Sequence, residues 1–329
     1  MRKRLSLFTS AVFFLFGVIL FPFAGMSAEW EAGDVTIILP HGTGGGQDRT
    51  TRALGQVWAK HLGAKFTYNN KKGASGRVGY DFFINQKKNG SVIQSSNIAS
   101  ASLMYVQQKP KWKWEEEIYP LGIFAVDPGA IFVKADSPFK TLEDLVEAAK
   151  KDPQAFSLTF WASPDNMLMH QIMDKTGAKF QVVPTGGASK TVTSVIAGDV
   201  SAGYTKVSTI LKAGDQTRIL AVSLAENPIP DETGNAPTID AALGIETLGV
   251  ASYRVINVHR EFADNNPEMM KLLKDTLEAT KDDPEFIELA KKNKVNPSLI
   301  VDMDNEELMA VIQRHWDAHD KFGELMKEK

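Results

Sequence analysis

The stretch from residue 35 to residue 62 constrains the fold most. The apolar run Val35–Leu39 stops at Pro40, and residues 40–48 read Pro-His-Gly-Thr-Gly-Gly-Gly-Gln-Asp. Beyond them Leu54, Val57, Trp58 and Leu62 recur at helical spacing, which predicts a helix over residues 48–62. A strand feeding a glycine-rich turn that opens a helix is a building unit of layered α/β folds. Glycines clustered at a helix start let the backbone fold tightly, with several N–H groups pointing into one concavity. Added to the partial positive charge of the helix end, this suits an anion. The competing reading is a flexible turn.

The same alternation continues. Residues 91–96, 122–125, 130–134, 157–161, 180–183 and 218–223 read as further short strands. Thr141, with Asp144 three residues on, predicts a capped helix whose buried stripe is Leu142, Leu145, Val146 and Ala149 and which Asp152-Pro153 ends. Residues 187–197 predict a helix stopped by Gly198. From Asn266, a cap ahead of Pro267, the chain turns helical, with Met270, Leu273 and Leu277 facing in. A last helix starting near Asp304 buries Leu308, Val311, Ile312 and Trp316, and residues 226–237, rich in proline, predict a long surface loop. At 329 residues the chain is long enough for two cores.

A second glycine turn, Val-Pro-Thr-Gly-Gly-Ala-Ser over residues 183–189, again joins a strand to a helix. Two such turns in separate halves could face each other and grip the two ends of one ligand, since open α/β sheets bind at the carboxyl ends of their strands. Sharper enzyme readings fail. A dinucleotide fingerprint starting at Gly42 needs glycine where Gln47 stands, and no phosphate-loop motif occurs. His41-Gly42 has a faint likeness to an esterase oxyanion loop, but no G-x-S-x-G elbow accompanies it. His315 and His319 stand four apart on the last helix, a spacing that suits a metal pair, but no third ligand is evident. His170 follows Ser163, Asp165 and Asn166, but spacing alone identifies no activated nucleophile. Trp112 and Trp114, set among charges, read as packing or lip residues.

The N-terminus places the chain. Arg2, Lys3 and Arg4 precede an uncharged apolar run over residues 5–24, and small residues follow to Ala28, the layout of a secretory signal peptide with cleavage after about Ala28. An uncleaved membrane anchor is the alternative. With Cys 0 there is no disulfide, thiolate or lipidated cysteine, which favours a freely diffusing protein of the periplasm. Losing Arg2, Lys3 and Arg4 takes the formal charge from −3 to about −6, and no basic tract offers a nucleic-acid surface.

These turns, taken with residues 70–76, Asn89-Gly90, residues 125–129, residues 163–170, residues 197–200 and Pro237-Thr238 with Gly244, resemble the solute-binding receptors of tripartite tricarboxylate transporters, the Bug-type receptors. The resemblance runs from about Val35 to the C-terminus. It implies a type II periplasmic binding protein: two Rossmann-like lobes, residues 29–127 with 251–329 and residues 128–250, closing on a small carboxylate. It implies ligand contacts from His41, Thr43, Gly44, Gly45 and Asp48 of the first loop. In the second lobe it implies Ser163, Asn166, His170, Thr185, Gly186, Gly187, Ala188, Tyr204 and Thr205. Main-chain amides, and not a charged side chain, are expected to hold the carboxylate. The resemblance further implies a monomer that passes its solute to a membrane permease, catalyses nothing and needs no cofactor or metal. The sequence departs from the family at residues 161–166, usually a glycine-serine cluster, at Thr185, usually tyrosine, and at Lys206, which could pair with a second carboxylate or stand solvated. An exported α/β hydrolase or lyase using His170 or His41 as a base, and a sensor adaptor using the same site, are the alternatives.

Overall fold

The chain winds one pattern twice. In the first winding β1 (Val35–Leu39), α1 (Gly46–Leu62), β2 (Phe66–Asn70), α2 (Arg77–Ile84), β3 (Val92–Asn97) and α3 (Ile98–Gln108) follow in order, and β1 lies parallel to both β2 and β3. A short α4 (Trp114–Glu117) leads into β4 (Ile118–Lys134) and α5 (Leu142–Lys151). The second winding is β5 (Gln154–Leu158), α6 (Pro164–Thr176), β6 (Phe180–Pro184), α7 (Ala188–Ala197) and β7 (Ala202–Lys206), with β5 parallel to both β6 and β7. Then come α8 (Val207–Ile210), β8 (Thr217–Val222), α9 (Ile239–Leu243), β9 (Ala251–His259), α10 (Arg260–Asn265), α11 (Pro267–Lys281), α12 (Pro284–Lys292) and α13 (Asn305–Phe322). The structure is a computed structural model describing residues 29–293, 295–300 and 305–326. The expected signal peptide lies outside the described residues.

The strands run in the order β2-β1-β3-β9-β4-β7-β5-β6, with β8 also on β4. Each winding therefore forms a parallel three-stranded unit, and antiparallel β9 and β4 lie between them. β4 joins the two lobes: its first part pairs with β9 and its last part with β7 and β8. This differs from the two strands expected at residues 122–125 and 130–134. Pro128 falls at the last rung against β9, opposite Ala251, where the missing N–H costs little. Gly129 keeps the strand continuous, since a Cβ there would stand 1.8 Å from the Tyr204 hydroxyl.

Helix starts follow their chemistry. Thr141 and Asp144 form the expected reciprocal cap, with Asp144 N donating to Thr141 Oγ1 at 3.2 Å and Thr141 N to Asp144 Oδ2 at 3.0 Å. Asn266 does not cap α11; its Nδ2 instead donates to the Phe262 carbonyl at 2.9 Å. The strand expected at residues 157–161 lies earlier, at Gln154–Leu158, and leaves Phe160 exposed in the turn. Residues 226–237 fold back on themselves: Asn227 Nδ2 donates to Thr233 Oγ1 and to the Ala236 carbonyl, both at 2.8 Å, and Ile229 enters the core.

Apolar packing ties the lobes together through α13. Its Leu308, Val311 and Ile312 pack with Tyr80 and Trp114 of the first lobe, whereas Ala318 and Phe322 join Met167 and Leu168 of the second. His315 is fully buried on this helix, while Trp316 is half-buried and stacks on Tyr105 at 5.2 Å.

Candidate functional site

In each parallel unit a glycine turn leaves the end of a strand and opens a helix, the position at which open α/β sheets bind ligands. In the first, the chain leaves β1 and turns through Gly44 at φ +78°, a conformation that favours glycine. Asp48, buried in the first turn of α1, staples this loop. Its carboxylate accepts from Gly44 N at 2.8 Å, Arg52 Nε at 3.0 Å and Asn70 Nδ2 at 3.0 Å. Burial alone would raise the Asp48 pKa, but these hydrogen bonds and the Arg52 charge hold it below the ordinary carboxylate value. Asp48 thus shapes the loop from within. Gln47 Nε2 donates to Ser95 Oγ at 2.9 Å and to the Ser96 carbonyl at 3.1 Å, fixing α1 to the end of β3. No side chain caps α1, and the amides of Gly46, Gln47 and Asp48 have no acceptor among the described residues. Thr43, Gly44 and Gly45 are exposed around that open helix start.

The second turn is built the same way. Thr185 Oγ1 lies 2.7 Å from Thr191 Oγ1 and donates to the Leu158 carbonyl at 3.2 Å, so its hydroxyl braces the turn. Gly186 stands at φ +75°, and Gly187 precedes an α7 that no side chain caps. The amides of Ala188, Ser189 and Lys190 again have no acceptor among the described residues. By contrast, α6 is closed. Ser163 Oγ accepts from Asn166 N at 3.3 Å and donates to the Phe160 carbonyl at 2.6 Å, while Asn166 Nδ2 donates to the Trp161 carbonyl at 3.0 Å. Asn166 Oδ1 and His170 Nε2 are sealed without a partner among the described residues, and burial lowers the His170 pKa.

His41 and Ser163 come together on the walls of a cavity of about 380 Å³ between the lobes, with Lys72, Leu103, Met104 and Phe160. The second glycine turn is not among its walls. Burial, and then the nearby Arg254, push the His41 pKa down to about 4, so the ring is neutral at physiological pH. Tyr204 and Thr205 cannot both face the solute, because neighbouring strand residues point to opposite faces. Tyr204 is wholly buried in the second-lobe core and donates its hydroxyl to the Val250 carbonyl at 2.8 Å. Lys206 is half-buried, and its Nζ lies 3.3 Å from Asp165 Oδ1 and 5.4 Å from the Tyr204 ring centre.

His315, Trp112 and Trp114 are packed into the structure. His315 Nδ1 meets Ser102 Oγ at 2.9 Å, and burial drives its pKa down to about 3. No group of three or more potential metal ligands occurs among the described residues. Trp112 and Trp114 pack with Tyr80 and Tyr105. Sequence reasoning passes over Arg254. Its signal is an arginine in the middle of the otherwise largely apolar strand Ala251–His259, where a charge is costly to bury.

Two α/β lobes joined by crossover strands, with open helix starts at the strand ends, define a periplasmic binding protein fold. The chain belongs to the tripartite tricarboxylate transporter family of receptors, whose family model matches residues 50–329. Among solved structures, a TctC solute-binding protein from Polaromonas, without ligand, is 22% identical with a TM-score of 0.77 over 89% of this chain and 98% of that one. An R. palustris protein with adipate is 19% identical with a TM-score of 0.66 over 90% and 99%. Among curated proteins, BugT of Bordetella pertussis is 23% identical over 57% of this chain, and the chain spans 60% of BugT's length.

Proposed function

We propose that this chain is an exported receptor that captures a small mono- or dicarboxylate between its lobes and delivers it unchanged to a transporter-type membrane permease. Family membership supports the receptor role, and the similar fold that carries adipate supports a carboxylate solute. One observation carries the reading: α1 and α7 both start behind glycine turns, uncapped, with three amides each lacking an acceptor among the described residues. Such donors satisfy an anion without a mobile side chain. The residues proposed to surround the solute are His41, Thr43, Gly44, Gly45, Ser163, His170, Gly186, Gly187, Ala188 and Thr205. Residues 29–127 with 251–329 and residues 128–250 would move as the two lobes, and a solute touching both favours the closed form through those differential contacts. The proposed setting is the periplasm, where the receptor acts as a monomer after loss of residues 1–28.

Gly45→Val and Gly187→Val test the two helix starts. A Cβ at Gly187 meets nothing within 4 Å and its φ of 174° suits any residue, while a Cβ at Gly45 meets only the Gly42 carbonyl at 3.3 Å. Both variants should fold and lose binding in isothermal titration with a carboxylate panel. Unchanged affinity in both would overturn the two-helix site. The enzyme alternative predicts turnover, and mass spectrometry of an incubated solute distinguishes it.

A further inference from the structure

β9 crosses between the lobes and carries Arg254 opposite Asn97, at the end of β3, and Ala125 of β4. Strand alternation puts Arg254 on the same face as Ile256 and Val258, which pack beneath α1. Its guanidinium reaches the open start of that helix: a Cβ placed on Gly46 would stand 3.7 Å from Arg254 Nη2. The residue is only 9% exposed, makes no side-chain hydrogen bond or ion pair with any described residue, and its Nε is sealed without an acceptor. The neighbouring acids make their hydrogen bonds elsewhere. Asp127 accepts from Ser208 N at 3.2 Å and Ser208 Oγ at 2.5 Å, and Asp48 accepts from Gly44, Arg52 and Asn70. The negative charge of Asp127 favours that of Arg254 without a hydrogen bond between them, and Arg49 opposes it.

A largely buried guanidinium whose Nε is sealed without an acceptor is costly in an apoprotein. Beside it the three unsatisfied amides of the first turn of α1 add donors and the positive end of the helix dipole. A planar carboxylate offers two oxygens that accept side by side from a guanidinium fork, and a helix start can donate to them as well. We infer that Arg254 and the first-turn amides of α1 together form the subsite for one carboxylate of the solute, so that this receptor selects its guest with a charged fork as well as with main-chain donors. The inference rests on the receptor reading above and revises the expectation that amides alone do the work.

Titration calorimetry of the mature protein with adipate and with succinate, on wild type, Arg254→Met, Arg254→Lys and Gly187→Val, tests it. Arg254→Met should weaken binding by about 30-fold or more, and Arg254→Lys, which keeps the charge but not the fork, by a smaller factor. The Tm of ligand-free Arg254→Met should stay about level, because no hydrogen bond of the apoprotein is lost and the burial cost of the charge offsets its attraction to Asp127. Arg254→Met binding within about threefold of wild type, or a clear fall in its ligand-free Tm, would overturn the inference. Loss of binding in Gly187→Val alone would leave the receptor reading standing and sink only the Arg254 subsite. Failure of the wild type to bind these acids or any other of a mono- and dicarboxylate panel at about 10 mM would sink both.

Discussion

Asp48 gives the most quantitative prediction, because one buried carboxylate holds the loop that opens α1. Asp48→Ala removes an acceptor shared by Gly44 N, Arg52 Nε and Asn70 Nδ2. Hydrogen bonds to a charged group contribute roughly 1.5–3 kcal/mol each when buried. Arg52 is substantially exposed, and its pairing with Asp48 at i,i+4 is worth only about 0.3–0.5 kcal/mol. Water can also recover part of what the Gly44 and Asn70 donors lose. The expected net loss is about 2–4 kcal/mol, a fall in Tm of roughly 5–12 °C for lobes of this size. The freed loop should also weaken carboxylate binding. Because the folded pKa of Asp48 lies below its ordinary value of 3.8, its contribution is present above that value and is lost as pH falls through the lowered pKa. Urea unfolding of wild type and Asp48→Ala, repeated from neutral pH into the acid range, measures both effects. A stability change under about 0.5 kcal/mol at neutral pH, with unchanged affinity, would refute the stapling argument.

Two further outcomes follow from buried groups. Gly129→Ala pushes a Cβ to 1.8 Å from the Tyr204 hydroxyl and 2.1 Å from its Cζ, so the ring must leave its bond to Val250. A loss of about 3–5 kcal/mol is expected, and denaturation showing less than about 1 kcal/mol would contradict the packing described. His315, held neutral with a pKa near 3 against an ordinary 6.5, takes up no proton in the fold while the unfolded chain does, so stability falls as pH drops from about 6.5 toward 3. His315→Gln should flatten the slope of unfolding free energy against pH in that window, and an unchanged slope would be the contrary result.

The sequence is most legible where local chemistry decides structure. The strand Val35–Leu39, the reciprocal Thr141–Asp144 cap and the stop at Gly198 all rest on contacts within a few residues. Legibility fails where distant partners decide. Pro128-Gly129 looks like a break, yet Tyr204, far along the chain, fills the space that only glycine leaves. Asn266 has the chemistry of a cap but spends its amide on Phe262. At the site, the two glycine turns are readable because their purpose is backbone geometry. The reach of Tyr204 into the core, the pairing of Lys206 with Asp165 and the burial of Arg254 depend on which strand face each side chain occupies. Strand register sets that face, and β7 and β9 carry no local signal for it.

The central claim is that a carboxylate sits against the open start of α1 while α7 meets it from the other lobe. A crystal structure of the receptor with its carboxylate bound tests this most directly. The account predicts carboxylate oxygens within hydrogen-bond distance of the Gly46–Asp48 amides on one side and of the amides following Gly187 on the other. A solute lodged in the cavity against Phe160 and Met104, with both helix starts left to water, would contradict it.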